Sequence, residues 1–127
     1  MGKLKIMVVD DEARMRKLVK DFLVKSNFDV LEAGDGEEAV DKFYENKDIA
    51  LILLDVMMPK MDGYEATREI RKVSKTVPII AVTAYSFASD KEKIMQNGFN
   101  GYMSKPVDIQ RLKEKLDYTI HGNFMMM

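Results

Sequence analysis

The sequence predicts an α/β fold, a doubly wound parallel sheet of five strands with helices on both faces. Five short apolar runs, at residues 6–9, 30–33, 51–54, 79–82 and 102–103, punctuate the chain. Segments of helical periodicity separate them, so strand and helix alternate five times. Three of the runs are almost unbroken Ile, Leu and Val. Strands take that form when both faces of a parallel sheet are covered.

The first run leads directly into Asp10, Asp11 and Glu12. Met15, Leu18, Val19, Phe22 and Leu23 then follow the spacing of one apolar helix face. The second run alternates, with Glu32 between Leu31 and Ala33, as an edge strand does. Gly34, Asp35 and Gly36 read as a turn into a helix carrying Ala39, Val40, Phe43 and Tyr44. The third run ends at Asp55, and residues 64–72 form a helix with Ile70 inward. The fourth run ends at Thr83, and residues 89–97 form a more polar helix stopped by Gly98. The fifth run is the weakest and is placed by its neighbours. It leads to Lys105 and Pro106, and Ile109, Leu112, Leu116 and Ile120 mark the last helix.

Composition narrows the chemistry. The chain has 127 residues, a formal net charge of −1, 46% hydrophobic and 32% charged residues. That is the size of one domain, which buries about two-thirds of its unfolded surface. The expected domain covers 1–121, with 122–127 as a disordered tail or linker end. Absence of cysteine excludes disulfides and thiolate metal sites, and the single histidine, His121, excludes multi-histidine centres. Near-zero charge argues against nucleic acid as a partner. No apolar stretch approaches the ~20 residues of a membrane span. A cytoplasmic protein is expected. The 11 methionines read as flexible core filler.

In an open α/β sheet, ligands bind beyond the carboxyl ends of the strands. Four runs deliver a reactive group to that rim: Asp10 and Asp11, Asp55, Thr83 and Lys105. Taken singly, Asp11 and Thr83 are read more simply as helix caps, and Lys105 as a solvated charge. Asp55 is different, because it interrupts the most apolar stretch of the chain, from Leu51 to Met58. A charge buried there is costly unless something pairs with it. Carboxylates from separate strands form an all-oxygen set that suits Mg²⁺. With a lysine and a hydroxyl nearby, this is a phosphoryl-transfer site. Asp55 attacks phosphorus to form an acyl phosphate, and Lys105 and Thr83 hold phosphoryl oxygens.

The stretches MVVDDE, LILLDVMMPKMDG, PIIAVTA and GYMSKP, in this order and spacing, resemble receiver domains of two-component response regulators from Lys3 to about Ile120. The resemblance implies a flavodoxin-like (βα)5 sheet of order 2-1-3-4-5 and a phosphoacceptor at Asp55. It implies Mg²⁺, with Mn²⁺ as a substitute, held by Asp10, Asp11, Asp55 and the backbone carbonyl of Met57. Asp11 would touch the metal and Asp10 would act through water. Thr83 is the implied switch hydroxyl, Lys105 the phosphate-binding lysine and Tyr102 the aromatic switch, with a cis bond between Lys105 and Pro106. The implied donor is a phosphohistidine on a sensor histidine kinase or a histidine phosphotransfer protein. The implied output is a change in the surface of the fourth helix, fifth strand and fifth helix, read by an unidentified effector or output domain.

Met57 and Tyr85 stand two residues beyond Asp55 and Thr83, where the family's hydrolytic water passes. Both are bulky and neither carries a carboxylate or carboxamide, so slow self-dephosphorylation is expected. Residues 98–102 lack the paired acids of many DNA-binding regulators, and resemble receivers of hybrid kinases or free-standing relay proteins. Phe87 and Phe99 read either as a partner surface or as core. The rival reading is a Mg²⁺-dependent phosphatase of the haloacid-dehalogenase type. Its nucleophile would lie in a D-x-D motif after the first strand, whereas here Asp10 and Asp11 are adjacent and the best nucleophile follows the third. A switch that accepts one phosphoryl group, rather than a turnover enzyme, is the expectation.

Overall fold

The computed structural model describes residues 3–58, 60–84, 88–105 and 107–125. The elements alternate as β1 (Lys5–Val9), α1 (Ala13–Lys25), β2 (Asp29–Ala33), α2 (Gly36–Glu45), β3 (Leu51–Asp55), α3 (Gly63–Arg71), β4 (Ile79–Thr83), α4 (Ala88–Gln96), β5 (Gly101–Ser104) and α5 (Ile109–Met125). All five strands are parallel, in the order β2-β1-β3-β4-β5. Every residue of β3 and β4 is buried, which accounts for their unbroken apolar sequences. The edge strands β2 and β5 are only partly covered.

Side chains alternate across the sheet and build a core on each face. Met7, Val9, Ile52, Leu54, Ile79 and Ala81 point to the side covered by α2, α3 and α4, through Phe43, Ile70 and Ile94. Ile6, Val8, Leu51, Leu53, Ile80 and Val82 point to the side covered by α1 and α5, through Leu23, Leu112 and Leu116.

Helix starts explain much of the local sequence. The Asp35 carboxylate caps α2 by accepting from the Glu38 N–H at 2.8 Å, and Glu38 Oε1 reaches back to accept from the Gly34 N–H, just before the cap, at 3.1 Å. Asp62 caps α3 through the Glu65 N–H at 2.9 Å. By contrast, α1 has no side-chain cap at Glu12, although two aspartates precede it. The Asp10 carboxylate instead accepts from the Glu12 N–H through Oδ1 and turns Oδ2 toward Lys105.

Several details differ from the sequence expectation. Leu18 and Tyr44, counted on inward helix faces, are exposed. Each lies at the margin of its apolar stripe, beyond the reach of the sheet. Phe99 is buried, and its ring meets the Tyr64 ring edge-on at 5.9 Å, so it belongs to the core. Helix α5 runs to Met125. Phe87 lies outside the described residues.

Candidate functional site

Strand register brings the polar residues to one rim. Val9 pairs with Leu54, Asp55 with Val82, and Thr83 with Ser104. Asp10 and Asp55 therefore share a level, with Thr83 one residue and Lys105 two residues further along, all at the carboxyl ends of four adjacent strands. Asp55 ends the middle strand and is 1% exposed. Asp10 and Thr83 are also buried, whereas Asp11 is exposed.

The charges are closely coupled. The Lys105 ammonium donates to Asp55 Oδ2 at 2.7 Å and lies 3.6 Å from Asp10 Oδ2. Asp55 Oδ1 accepts from the Met57 N–H at 3.1 Å, and Asp10 Oδ1 accepts from the Glu12 N–H at 2.8 Å. Burial raises both buried carboxyls above the ordinary aspartate range. The Lys105 hydrogen bond opposes this at Asp55, and the Glu12 N–H and the Lys105 charge oppose it at Asp10. Burial pushes Lys105 down, but its hydrogen bond to Asp55 and its attraction to Asp10, Asp55 and Asp11 leave it raised, so it is held as an ammonium.

One oxygen from each of Asp10, Asp11 and Asp55 lies within 4.8 Å of the others. Three carboxylates so close repel one another, and a single lysine does not neutralise them. The oxygen-only donor set and the uncompensated negative charge fit a hard divalent cation such as Mg²⁺.

Close backbone approach supports this rim. A Cβ at Gly63 would lie 2.7 Å from the Asp55 carbonyl oxygen and 2.8 Å from Val56 Cα. Only glycine lets the start of α3 sit there, and the Gly63 N–H donates to the Val56 carbonyl at 3.0 Å. Tyr102 is half-buried beside Ala81, its register partner. The Lys91 and Lys115 ammoniums lie 5.3 Å and 5.6 Å from its ring centroid.

The structure thus brings together Asp10, Asp11, Asp55 and Lys105, with Thr83 at the end of the neighbouring strand. The Met57 side chain is 59% exposed on the rim. The expected cis bond involves Pro106, which lies outside the described residues, as does Tyr85. Sequence reasoning missed Arg16, whose Nη1 donates to the Asp10 carbonyl at 2.7 Å while Nε donates to Glu32 at 3.1 Å. Its signal was present: Arg16 and Lys20, four residues apart on α1, face the one charged residue within the apolar run of β2.

A sheet of this order, with its acids and its lysine on one rim, defines a class of phosphoryl-accepting signalling switches. The chain belongs to the response regulator receiver domain family, whose sequence profile matches residues 6–117. It is 36% identical to the chemotaxis protein CheY1 of Helicobacter pylori, over 94% of this chain and 99% of that one. It is 37% identical to hybrid signal transduction histidine kinase I of Dictyostelium discoideum, over 91% of this chain but only 7% of the kinase. The chain therefore spans a small part of some relatives and nearly all of others. Among solved structures, the receiver domain of the sensor histidine kinase PA1611 from Pseudomonas aeruginosa superposes with a TM-score of 0.84 at 34% identity, covering 94% of this chain and 98% of that one. That structure has a magnesium ion coordinated in its active site cleft. The receiver domain of Ssk1 from Saccharomyces cerevisiae, co-crystallised with the histidine phosphotransfer protein Ypd1, gives a TM-score of 0.85 at 30% identity over 91% of this chain and 88% of that one. This chain is accordingly a phosphoacceptor receiver domain of a two-component system, and the phosphatase alternative is not supported. Among the described residues no helix is long and apolar enough to cross a membrane.

Proposed function

We propose that Asp55 accepts a phosphoryl group from a phosphohistidine on a sensor histidine kinase or histidine phosphotransfer protein. The observation that carries this is the Lys105 ammonium, 2.7 Å from Asp55 and 3.6 Å from Asp10. A carboxylate oxygen of Asp55 attacks phosphorus, the P–N bond breaks, and the imidazole leaves with the bonding pair. Burial of Asp55 removes competing water from its oxygens. Lys105 exchanges part of its contact with Asp55 for the new phosphoryl oxygens, as a point charge. The Thr83 hydroxyl supplies a hydrogen bond to another oxygen. Asp10, Asp11, Asp55 and the Met57 carbonyl would hold Mg²⁺, or Mn²⁺ in its place. When bound, the metal offsets charge on the acceptor and on the phosphoryl oxygens.

The output follows from packing. As Thr83 moves toward the phosphoryl oxygens it vacates space behind β4, and Tyr102 turns inward to fill it. The surface of α4, β5 and α5 changes, and a downstream effector reads it. This is a population shift whose extent is set by differential affinity for the phosphoryl group, and a swing from 1:99 to 99:1 takes about 5.5 kcal/mol. The domain works as a switch in the cytoplasm, without direct contact with nucleic acid, and holds one phosphoryl group at a time.

The test is incubation with acetyl phosphate and Mg²⁺ followed by intact mass. The native chain gains the mass of one phosphoryl group, and Asp55→Asn gains none. A label that persists in Asp55→Asn, or release of many phosphates per chain, overturns the reading.

A further inference from the structure

We infer that Arg16 is a positioning residue for the acidic pair, acting through the backbone of Asp10; this rests on the metal-binding reading of the site. Asp10 is held at three points. Its N–H donates to the Ala33 carbonyl at 3.1 Å, its carbonyl accepts from Arg16 Nη1 at 2.7 Å, and its Oδ1 accepts from the Glu12 N–H at 2.8 Å. Those bonds leave Oδ2 as the oxygen turned toward Lys105, at 3.6 Å. The first bond belongs to the sheet and the third lies within the turn itself. The Arg16 side chain ties the Asp10 carbonyl directly to the helix that follows.

That tie matters because α1 starts without a side-chain cap. Elsewhere in the fold, Asp35 and Asp62 fix the helix starts. Here the two aspartates are reserved for the rim, and a guanidinium from the first turn reaches back instead. Arg16 is itself fixed. Its Nε donates to Glu32 Oε1 at 3.1 Å, while Lys20 holds Glu32 Oε2 at 3.1 Å. A planar fork can satisfy a carbonyl and a carboxylate at once, which an ammonium on a flexible stem cannot do in the same geometry. Groups that orient metal ligands from outside the coordination shell commonly change metal affinity by about 10–100-fold when removed.

The test is calorimetric titration with MgCl₂ at a temperature where every variant is folded. Arg16→Ala raises the Mg²⁺ Kd about tenfold. Arg16→Lys recovers only part of that loss, and Glu32→Gln, which frees the guanidinium, weakens binding to an intermediate degree. Lys20→Met removes the other ion pair of Glu32 without touching the Asp10 carbonyl, and binds Mg²⁺ as the native chain does. Should Arg16→Ala unfold, Glu32→Gln against Lys20→Met still decides the matter. Unchanged affinity in Arg16→Ala or Glu32→Gln, or an equal loss in Lys20→Met, overturns the inference. Native protein that binds no Mg²⁺, or binds it unchanged after Asp11→Asn, overturns instead the reading on which it rests.

Discussion

Lys105 Nζ lies 2.7 Å from Asp55 Oδ2, linking residues 50 apart in sequence at the rim of the sheet. The same ammonium is 3.6 Å from Asp10 Oδ2, so one cation serves two buried carboxylates. The site is therefore under-neutralised, and that imbalance governs both stability and ligand uptake.

The first consequence concerns pH. Burial raises the Asp55 and Asp10 carboxyls above their ordinary values despite Lys105. A carboxyl with a folded pKa above its unfolded one binds its proton more readily when folded. Its charge then costs stability above the folded pKa, and the cost fades as pH falls through it. With metal chelated at pH 7, Asp55→Asn is expected to melt at a higher temperature than the native chain. Thermal unfolding in EDTA should show the gap narrowing toward about pH 4. Added Mg²⁺ should stabilise the native chain more than the variant.

Phosphoryl lifetime is the second consequence. The Met57 side chain is 59% exposed over the rim, while its backbone N–H holds Asp55 Oδ1 at 3.1 Å. Met57→Asn keeps that backbone bond and replaces a bulky thioether with a group that can orient water. Loss of acyl phosphate, followed by intact mass, is expected to be several-fold faster in the variant.

Arg71 fastens the side of the domain opposite to Arg16. Its guanidinium donates to the carbonyls of Gly98, Ser74 and Val77 and to Asn100 Oδ1, at 2.8–3.2 Å. Asn100 Oδ1 in turn accepts from the Ile79 N–H at 2.9 Å. Burial lowers the Arg71 pKa, yet a guanidinium stays charged. Arg71→Ala is expected to cost about 2–4 kcal/mol in chemical denaturation, by stranding several carbonyls. Arg71→Lys should recover little, because an ammonium cannot reproduce the fork.

Thr67 predicts a gain. It is fully buried on α3, and its Oγ1 has no hydrogen-bond partner. Thr67→Val keeps the shape and removes an unsatisfied hydroxyl. Stability should rise by about 1 kcal/mol in urea unfolding. Phosphorylation should be unchanged, because Thr67 faces Gly98 rather than the rim.

The order of elements and the identity of the rim residues were legible in the sequence. An unbroken apolar run that ends in an acid, such as 51–54 followed by Asp55, states where a covered strand stops and which group stands at its end. Local periodicity suffices for that, because strand and helix repeats are properties of neighbouring residues. What neighbours cannot encode is which residues far along the chain share a surface. Only the packed fold exposed Leu18 and Tyr44, buried Phe99, stranded the Thr67 hydroxyl and carried α5 to Met125. Only the register of β1 with β2 brought Glu32 opposite α1, where it fixes Arg16 against the Asp10 carbonyl. The helical faces and the capping turns are local in origin, whereas ion pairs and backbone contacts across the sheet depend on how the strands align.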